Sequence, residues 1–233
     1  MIELYAAGSP NVVKVFLMLE ECELPYKIIP VDVWKADQFS AEFTKLNPNQ
    51  KVPAIVDHEG PGGQPITIIE SGAILQYLGE KTGKFIPKDA RARYEMLQWL
   101  TLQVASIGPM FGQLVHFSRF APKGSDYGQA RYRSEVIRLF DLCEQRLASH
   151  AFIGGSEYTI ADMAFWPWIR IAQFLSIDMS SRPHVTAWVN KIAEREPVKR
   201  ALAKVATINS TRDSASDDNK DRFFGRGQYA RTA

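Results

Sequence analysis

The spacing of apolar residues changes once along this chain, near residue 89, and this change limits the possible folds more than any other feature. Before it, short apolar segments alternate with amphipathic helical segments, which is typical of an α/β unit. After it, apolar residues recur at three- and four-residue spacing over long stretches, with no convincing strand. We therefore expect an α/β domain over residues 1–85, an all-helical domain over residues 90–206, and a tail over residues 207–233.

The first domain is predicted to have the element order βαβαββα. Strands are expected at residues 2–5 and 26–33, on either side of a helical segment, and at residues 51–57 and 66–69, which a Gly/Pro-rich turn separates. Pro30 indicates that the second strand lies at an edge of the sheet or has a distorted end. A parallel pair of strands, an antiparallel hairpin and helices on the faces together make a thioredoxin-like pattern.

The second domain carries a clear start signal for one of its helices. Thr159 and Asp162 have the spacing of a capping box, in which the hydroxyl accepts from a later amide and the carboxylate reaches back. Pro109 is expected to kink a helix that runs through residues 94–111. The chain is thus predicted to combine a thioredoxin-like domain with an all-α domain.

The charge balance excludes partners that require a strongly positive surface. The chain has 28 basic and 26 acidic residues, a net charge of +2, so no overall positive field is available to a nucleic-acid backbone or an anionic membrane. We find no stretch of about 18 apolar residues that could cross a bilayer, and no leader pattern. We expect a cytoplasmic protein whose partner is a small molecule or a protein.

Cysteine and histidine usage limits the chemistry further. The two cysteines, Cys22 and Cys143, are too few for a disulfide framework and do not form a CxxC pair. This usage fits a reducing compartment and argues against thiol–disulfide chemistry by the protein's own thiols. The four histidines share no metal-ligand spacing, so no metal site is expected.

Two motifs in the first domain carry a resemblance to a known family. Residues 47–53 read Asn-Pro-Asn-Gln-Lys-Val-Pro, and Glu70 and Ser71 follow at the start of a predicted helix. Together with the capping sequence that contains Asp162, this order resembles the cytosolic glutathione transferases over roughly residues 1–205. The resemblance implies a glutathione-binding first domain and a homodimer.

The residue types at these motifs suit glutathione. This tripeptide has two carboxylates, an ammonium, amides and a thiol, so its site needs a strand edge, an anion-binding helix start and donors to sulphur. Pro53, if its peptide bond is cis, turns the Val52 N–H and C=O away from the sheet ladder, where they can pair with the cysteinyl part of the ligand. Glu70 can accept from the ammonium, and Ser71 can offer its hydroxyl and amide to the γ-glutamyl carboxylate.

Lys51 and Gln38 are expected to meet the glycyl carboxylate or the backbone of the ligand. Each motif also has a simpler explanation on its own. Val52-Pro53 could be an edge-strand proline, and Glu70-Ser71 could be an ordinary helix cap. Together, at this spacing, the motifs favour ligand binding.

The loop after the first strand, Ser9-Pro10-Asn11, is expected to contact the glutathione sulphur. It resembles the T/S-P-N element of the bacterial nu class of glutathione transferases, which usually has threonine where this chain has Ser9. In that class the hydroxyl and the asparagine form hydrogen bonds with the sulphur atoms of the ligand. An arginine of the second domain also approaches the ligand, and Arg131 is the matching position here. From the residues alone, Asn11 could equally be the N-cap of the first helix.

The nu-class resemblance implies a glutathione-dependent disulfide-bond reductase. Members of that class hold one or two glutathione molecules, or a glutathione disulfide, and reduce small disulfides with weak peroxidase or transferase activity. One bound thiolate is expected to attack the substrate disulfide and a second glutathione to complete the exchange, so no cysteine pair is needed. Two alternatives stay open: a conventional transferase that adds glutathione to electrophiles, and a non-catalytic relative that binds glutathione or another protein.

The tail ends in aromatic residues that contrast with its polar beginning. Residues 207–219 are polar and lack periodicity, whereas Phe223, Phe224 and Tyr229 follow within a short distance. Large apolar side chains are unfavourable in water. We therefore expect the tail to be partly docked.

Overall fold

The computed structural model describes residues 1–225, which fall into two compact units. The first unit contains Met1–Ile74 together with the chain from Arg200 onward, and the second contains Leu75–Lys199. Within residues 1–225, the four strands lie in the first unit, and the second unit is helical. The predicted combination of a thioredoxin-like domain and an all-helical domain is confirmed.

The first unit is built on a four-stranded sheet in the order β2-β1-β3-β4. Its strands are β1 (Ile2–Ala6), β2 (Tyr26–Pro30), β3 (Ala54–Asp57) and β4 (Ile66–Ile69). β1 and β2 are parallel, while β3 runs antiparallel to both β1 and β4. β2 is an edge strand, as its proline predicted, since a proline cannot donate to a further neighbour.

The helices of the first unit include the last helical part of the chain. They are α1 (Pro10–Glu21), α2 (Ala41–Leu46), the start of α3 (Ser71–Thr82), the end of α9 (Glu196–Ala206) and α10 (Asp217–Phe224). α1 is buried almost all round, from Val12 to Glu20, which is typical of a helix with apolar residues on every face. Lys14 and Glu20 are the charged residues within this buried stretch.

A buried acidic residue of α1 ties the chain after residue 200 to the first unit. Glu20 accepts hydrogen bonds from the Tyr26 hydroxyl at 2.7 Å, from Arg200 Nε at 2.9 Å and from Lys204 Nζ at 2.6 Å. Burial alone would raise the pKa of Glu20, but the hydrogen bonds from Lys204, Tyr26 and Arg200 outweigh it and lower the pKa overall. Ion pairs with Glu20 therefore hold the end of α9 in place, and the tail begins directly after this part of the chain.

The second unit is a bundle in which α5 packs on α6, α4 on α7 and α6 on α8. Its helices are α4 (Ala90–Leu102), α5 (Gly108–Arg119), α6 (Asp126–Ser149), α7 (Ile160–Ile169) and α8 (Pro183–Ala193). Within residues 1–225, no helix is both long and apolar enough to span a membrane.

The helix expected over residues 94–111 with a kink at Pro109 continues from α4 into α5 through a π-helical turn. A π-helical turn, Gln103–Ile107, separates α4 from α5. Leu102, Gln103, Ile107 and Gly108 have right-handed helical φ/ψ angles, so the chain is helical up to Pro109, whose nitrogen has no hydrogen to donate to the preceding turn. The irregular turn lies directly before the proline, where a missing N–H disturbs helical hydrogen bonding, and its π-helical form was not expected.

The predicted capping box at the start of α7 is confirmed. The Thr159 side chain accepts from the backbone of α7, and the Asp162 carboxylate accepts from the Thr159 amide at 3.1 Å. Asp162 also accepts from the Ile153 amide at 2.7 Å and from Trp188 Nε1 at 3.0 Å. A Cβ added at Gly154 would collide with the Thr159 hydroxyl, so this turn requires a glycine.

Candidate functional site

The loop before β3 takes its shape from one buried side chain. Asn47 is 1% exposed, donates from Nδ2 to the Lys51 carbonyl at 2.6 Å, and accepts from the Asn49 amide at 2.9 Å. The Val52–Pro53 peptide bond is cis, the conformation on which the ligand hypothesis depended. The sheet ladder begins only at Ala54, so the Val52 backbone takes no part in it. The third strand is accordingly shorter than expected, and a stretch of backbone lies beside the sheet edge.

Helix α3 begins directly after β4 with an acidic residue and a serine. Glu70 has a φ of 67°, a left-handed conformation that costs a residue with a Cβ roughly 1 kcal/mol. Its Oε1 accepts from Asn49 Nδ2 at 3.1 Å. Ser71 is buried, and its Oγ accepts from Lys14 Nζ at 3.2 Å. The first amides of a helix have no intrahelical partner, so this corner combines a carboxylate, a hydroxyl, an ammonium and amide donors.

The loop that precedes α1 supplies a second set of polar groups. The Ser9 hydroxyl is the N-cap of α1 and accepts from the Val12 amide at 3.4 Å. Asn11 is the second residue of the helix, so the alternative that Asn11 is the N-cap was wrong. A hydroxyl whose oxygen accepts from the helix still has its hydrogen to donate. Ser9 and Asn11 therefore lie together at the positive end of the α1 dipole.

Two pockets of the first unit share residues and connect these features. One, of about 230 Å³, is lined in part by Ser9 and Val31. The other, of about 160 Å³, is lined in part by Glu70 and Ser71. Asn11, Lys51 and Val52 line both pockets. We call the two together the groove; it runs from the start of α1, along the Val52 backbone, to the start of α3.

The tail forms one wall of the groove. Asn209, Ser210 and Phe223 line the larger pocket. The Phe223 ring lies 5.1 Å from the Trp34 ring, centroid to centroid, and Lys51 Nζ lies 5.2 Å from the Phe223 centroid. The expected docking of Phe223 and Phe224 is confirmed, since both rings contact Trp34. Tyr229 lies outside the described residues.

Asp32 fixes the beginning of this wall. Its Oδ2 accepts from the Thr211 hydroxyl at 2.7 Å, and its Oδ1 accepts from the Trp34 amide at 3.1 Å. Further along the tail, the Arg222 guanidinium lies 5.3 Å from the centroid of the Phe39 ring. The Asp32 carboxylate thus accepts from both the tail, at Thr211, and the loop that carries Trp34, the aromatic partner of the tail.

Two of the predicted site residues do not line the groove. Gln38 lies in a 3-10 turn, is 1% exposed, and neither atom of its amide has a hydrogen-bond partner among residues 1–225. Arg131 lies on α6 in the second unit, where its Nη1 is 3.9 Å from Glu135 Oε2. Their roles toward a ligand stay predictions, whereas Ser9, Asn11, Lys51, Val52, Pro53, Glu70 and Ser71 all line at least one of the two pockets.

Three residues that shape the groove were not predicted from the sequence: Lys14, Asn47 and Trp34. Lys14 is a single lysine within an otherwise apolar helical stretch, and that contrast was an available signal. Asn47 is the first residue of the motif at residues 47–53, but the motif alone does not indicate a role for its side chain. Trp34 carried no local signal, because its partner Phe223 lies far away in the sequence.

Both cysteines are buried and lie outside the groove lining. Burial raises the pKa of the Cys143 thiol to about 12, so this side chain carries no thiolate near neutral pH. Within the described part of the chain, no three His, Cys, Asp or Glu side chains are grouped so that they could hold a metal ion. A nucleophilic thiol in the groove would have to come from a ligand.

Comparison with family models matches both parts of the chain. Residues 8–81 match the N-terminal domain of glutathione S-transferases, and residues 109–196 match the C-terminal domain. Among curated proteins, the disulfide-bond oxidoreductase YfcG of Escherichia coli is 44% identical over 215 residues, 92% of this chain and 100% of that protein. The disulfide-bond oxidoreductase YghU of the same organism is 40% identical, over 85% of this chain and 73% of that protein.

Solved structures of relatives contain the tripeptide that the groove chemistry suggests. A glutathione transferase family member from Pseudomonas fluorescens, with two glutathione molecules bound, superposes with a TM-score of 0.82 at 40% identity, over 86% of this chain and 92% of that chain. A glutathione transferase from Pseudomonas putida, with one glutathione disulfide bound per subunit, gives 0.81 at 39% identity, over 86% of this chain and 90% of that chain.

Proposed function

The chain belongs to the glutathione transferase family, and from this we propose that it is a glutathione-dependent disulfide-bond reductase similar to the bacterial nu class. The observation that carries the proposal is the groove, in which Ser9 and Asn11 lie at one end and Glu70 and Ser71 at the other. The curated relatives described above are disulfide-bond oxidoreductases, which supports the same reaction. The buried cysteines support a reaction in which the protein's own thiols take no part.

Glutathione fits the groove by charge and by backbone. The Glu70 carboxylate suits its ammonium, and the start of α3 with the Ser71 hydroxyl suits the γ-glutamyl carboxylate. The Val52 backbone, outside the ladder, suits the cysteinyl amide and carbonyl as an added strand would. Lys51 adds a positive charge for the glycyl carboxylate. Each of the three charged groups of an extended glutathione, two carboxylates and one ammonium, therefore has a proposed partner of suitable charge or polarity in the groove.

The start of α1 is the proposed place for the sulphur atom. When bound, glutathione supplies the thiol that exchanges with the substrate disulfide. The Ser9 hydroxyl and the Asn11 amide can donate toward a sulphur atom there, and the positive end of the α1 dipole favours its thiolate form. The chain's contribution is therefore to bind, to orient and to stabilise negative charge.

Gln38 and Arg131 lie outside the groove lining, and the proposal also extends to the oligomeric state, the location and the substrates of the protein. We propose that Gln38 pairs its buried amide with a polar group of the ligand, since an unpaired buried amide is costly. Arg131, in analogy with the nu class, is proposed to approach the ligand. The working form is proposed to be a cytoplasmic homodimer that acts on small disulfides, and more weakly on peroxides or electrophiles.

A side-by-side assay with glutathione tests this proposal. Three substrates are compared: 2-hydroxyethyl disulfide, cumene hydroperoxide and 1-chloro-2,4-dinitrobenzene. We expect disulfide reduction to have the largest kcat/KM of the three. Conjugation of the aromatic electrophile that exceeds disulfide reduction by a wide margin would identify a conventional transferase. Glutathione binding without turnover of any substrate would identify a non-catalytic relative.

A further inference from the structure

Lys14 lies beneath the start of α3, at the end of the groove proposed for the γ-glutamyl part of glutathione. Its side chain is only 2% exposed, although it is a lysine, and its Nζ is 3.2 Å from Ser71 Oγ. Ser71 lines the smaller pocket, whereas Lys14 does not. The ammonium is thus separated from the pocket by a single hydroxyl group.

The direction of this hydrogen bond decides what the hydroxyl can do for a ligand. A lysine ammonium has three donors and no acceptor, so Lys14 donates and the Ser71 oxygen accepts. The hydrogen of the Ser71 hydroxyl is then left to donate in another direction. Because Ser71 lines the pocket, that direction includes the space in which an anion would bind.

The charge of Lys14 acts in the same sense. Burial lowers the pKa of this ammonium to about 7, and the nearby Glu70 carboxylate, which also lines the pocket, opposes that shift. An anion bound next to Ser71 would favour the charged form further, since an opposite charge nearby stabilises an ammonium. A carboxylate in the pocket and a proton on Lys14 therefore favour each other.

We propose that Lys14 is a positioning residue that makes this end of the groove selective for a carboxylate. It holds the Ser71 hydroxyl as a donor and provides, behind it, the positive charge that the γ-glutamyl α-carboxylate of glutathione requires. The inference rests on the proposed function, because it takes glutathione as the ligand of the groove.

Calorimetric titration with two peptides tests the inference. The first peptide is glutathione, and the second is 4-aminobutyryl-cysteinyl-glycine, which lacks only the α-carboxylate of the γ-glutamyl residue. We expect Lys14→Met to weaken binding of glutathione by about 10-fold or more, since charged hydrogen-bonded groups contribute on that order. Binding of the second peptide should change by less than about 2-fold. Lys14→Arg should restore part of the affinity for glutathione.

Lys27→Met is the matched control, since it removes an exposed lysine of the same unit. It should leave both affinities unchanged. Lys14→Gln, which lacks the charge but keeps a polar end, is the second variant if thermal melting shows that Lys14→Met does not fold, and the same selective loss is expected.

The outcomes separate this inference from the proposed function. Equal weakening of both peptides by the Lys14 variants would mean a structural role for this lysine and would overturn the inference. Unchanged glutathione binding in a folded Lys14 variant would also overturn it, while the proposed function would stand. A wild-type chain that does not bind glutathione at all would overturn both.

Discussion

Helices α7 and α3 begin with the same residue types, an acidic residue and a hydroxyl residue, but their polar atoms are satisfied in different ways. At α7, Asp162 is 0% exposed and accepts hydrogen bonds from the backbone of Ile153, Gly154 and Thr159 and from Trp188. At α3, Glu70 is exposed and Ser71 lines a pocket. At the start of α7 the carboxylate is paired with the protein's own donors, and we call this the closed helix start. At the start of α3 the polar groups border the groove, and we call this the open helix start.

This difference teaches how one sequence pattern can serve stability in one place and binding in another. A carboxylate that accepts from several buried donors has no capacity left for a ligand, and its removal leaves those donors unpaired. Glu70, which lies beside a pocket, has a left-handed backbone conformation that costs stability. Such strained residues are common at functional sites. Substitution at the start of α7 should therefore cost mainly stability, and substitution at the start of α3 should cost mainly ligand binding.

The largest expected effect is on stability, at the closed helix start. Asp162→Ala should lower the free energy of unfolding by about 3–5 kcal/mol, because five backbone and side-chain groups, the Thr159 hydroxyl included, lose a buried acceptor. Urea unfolding followed by circular dichroism measures this change. Glu70→Ala, at the open helix start, is the comparison and should cost less than about 1 kcal/mol, because Glu70 is exposed. Similar losses in the two variants would contradict the distinction.

The next effect is on rate, at the start of α1. Asn11→Ala should reduce kcat/KM for 2-hydroxyethyl disulfide by about 100-fold, because a donor to developing negative charge on sulphur is lost. The melting temperature should change by no more than a few degrees, since Ser9, not Asn11, caps the helix. An unchanged rate in the folded variant would remove Asn11 from the mechanism.

A third effect concerns the pH dependence of stability through Lys14. Its pKa is about 7 in the folded chain against an ordinary 10.5, so between these values the unfolded chain binds more protons. Stability should therefore rise with pH in this window, by up to about 1.4 kcal/mol per pH unit from this group. Urea unfolding at pH 7 and pH 8.5 should show that this rise is smaller in Lys14→Met. Equal pH dependence in both proteins would mean that the lysine is not held in a costly environment.

The smallest expected effect is on ligand release, at the tail wall of the groove. Phe223→Ala removes a ring that contacts Trp34 and Lys51. The dissociation rate of glutathione should rise by roughly 3- to 10-fold, which corresponds to about 1 kcal/mol of lost packing and cation–π contact. Stopped-flow fluorescence measures the rate. Tyr127→Ala, at an exposed ring in the second unit, should leave it unchanged.

Those parts of the fold that depend on neighbours in sequence were predictable. The capping box of Thr159 and Asp162 spans four positions, and the hairpin of β3 and β4 is marked by the Gly/Pro-rich turn between its strands. The π-helical turn before Pro109 was not predicted, because a π-helical turn and a proline kink leave the same apolar spacing in the sequence. The helix α10 within a polar tail carried too few apolar residues for a periodic signal.

The site was predictable to the extent that its motif is contiguous. Residues 47–53 and the pair Glu70-Ser71 could be quoted from the sequence, and all of the residues predicted from them line the groove. The bond from Lys14 to Ser71 joins positions 57 apart, and only tertiary packing brings them together. The burial of Gln38 was likewise missed, because a glutamine in a short polar turn gives no sign of its depth.

The most direct test of the account is the rate of 2-hydroxyethyl disulfide reduction, at increasing glutathione concentration, in the wild-type chain and in a Cys22→Ala/Cys143→Ala variant. Both proteins should reduce the disulfide, the rate should saturate with glutathione, and the two rates should agree within about 2-fold, since the thiol comes from the ligand. A folded double variant without activity, beside an active wild type, would show that a protein thiol carries the reaction. A wild type that is inactive at every glutathione concentration would contradict the proposed function itself.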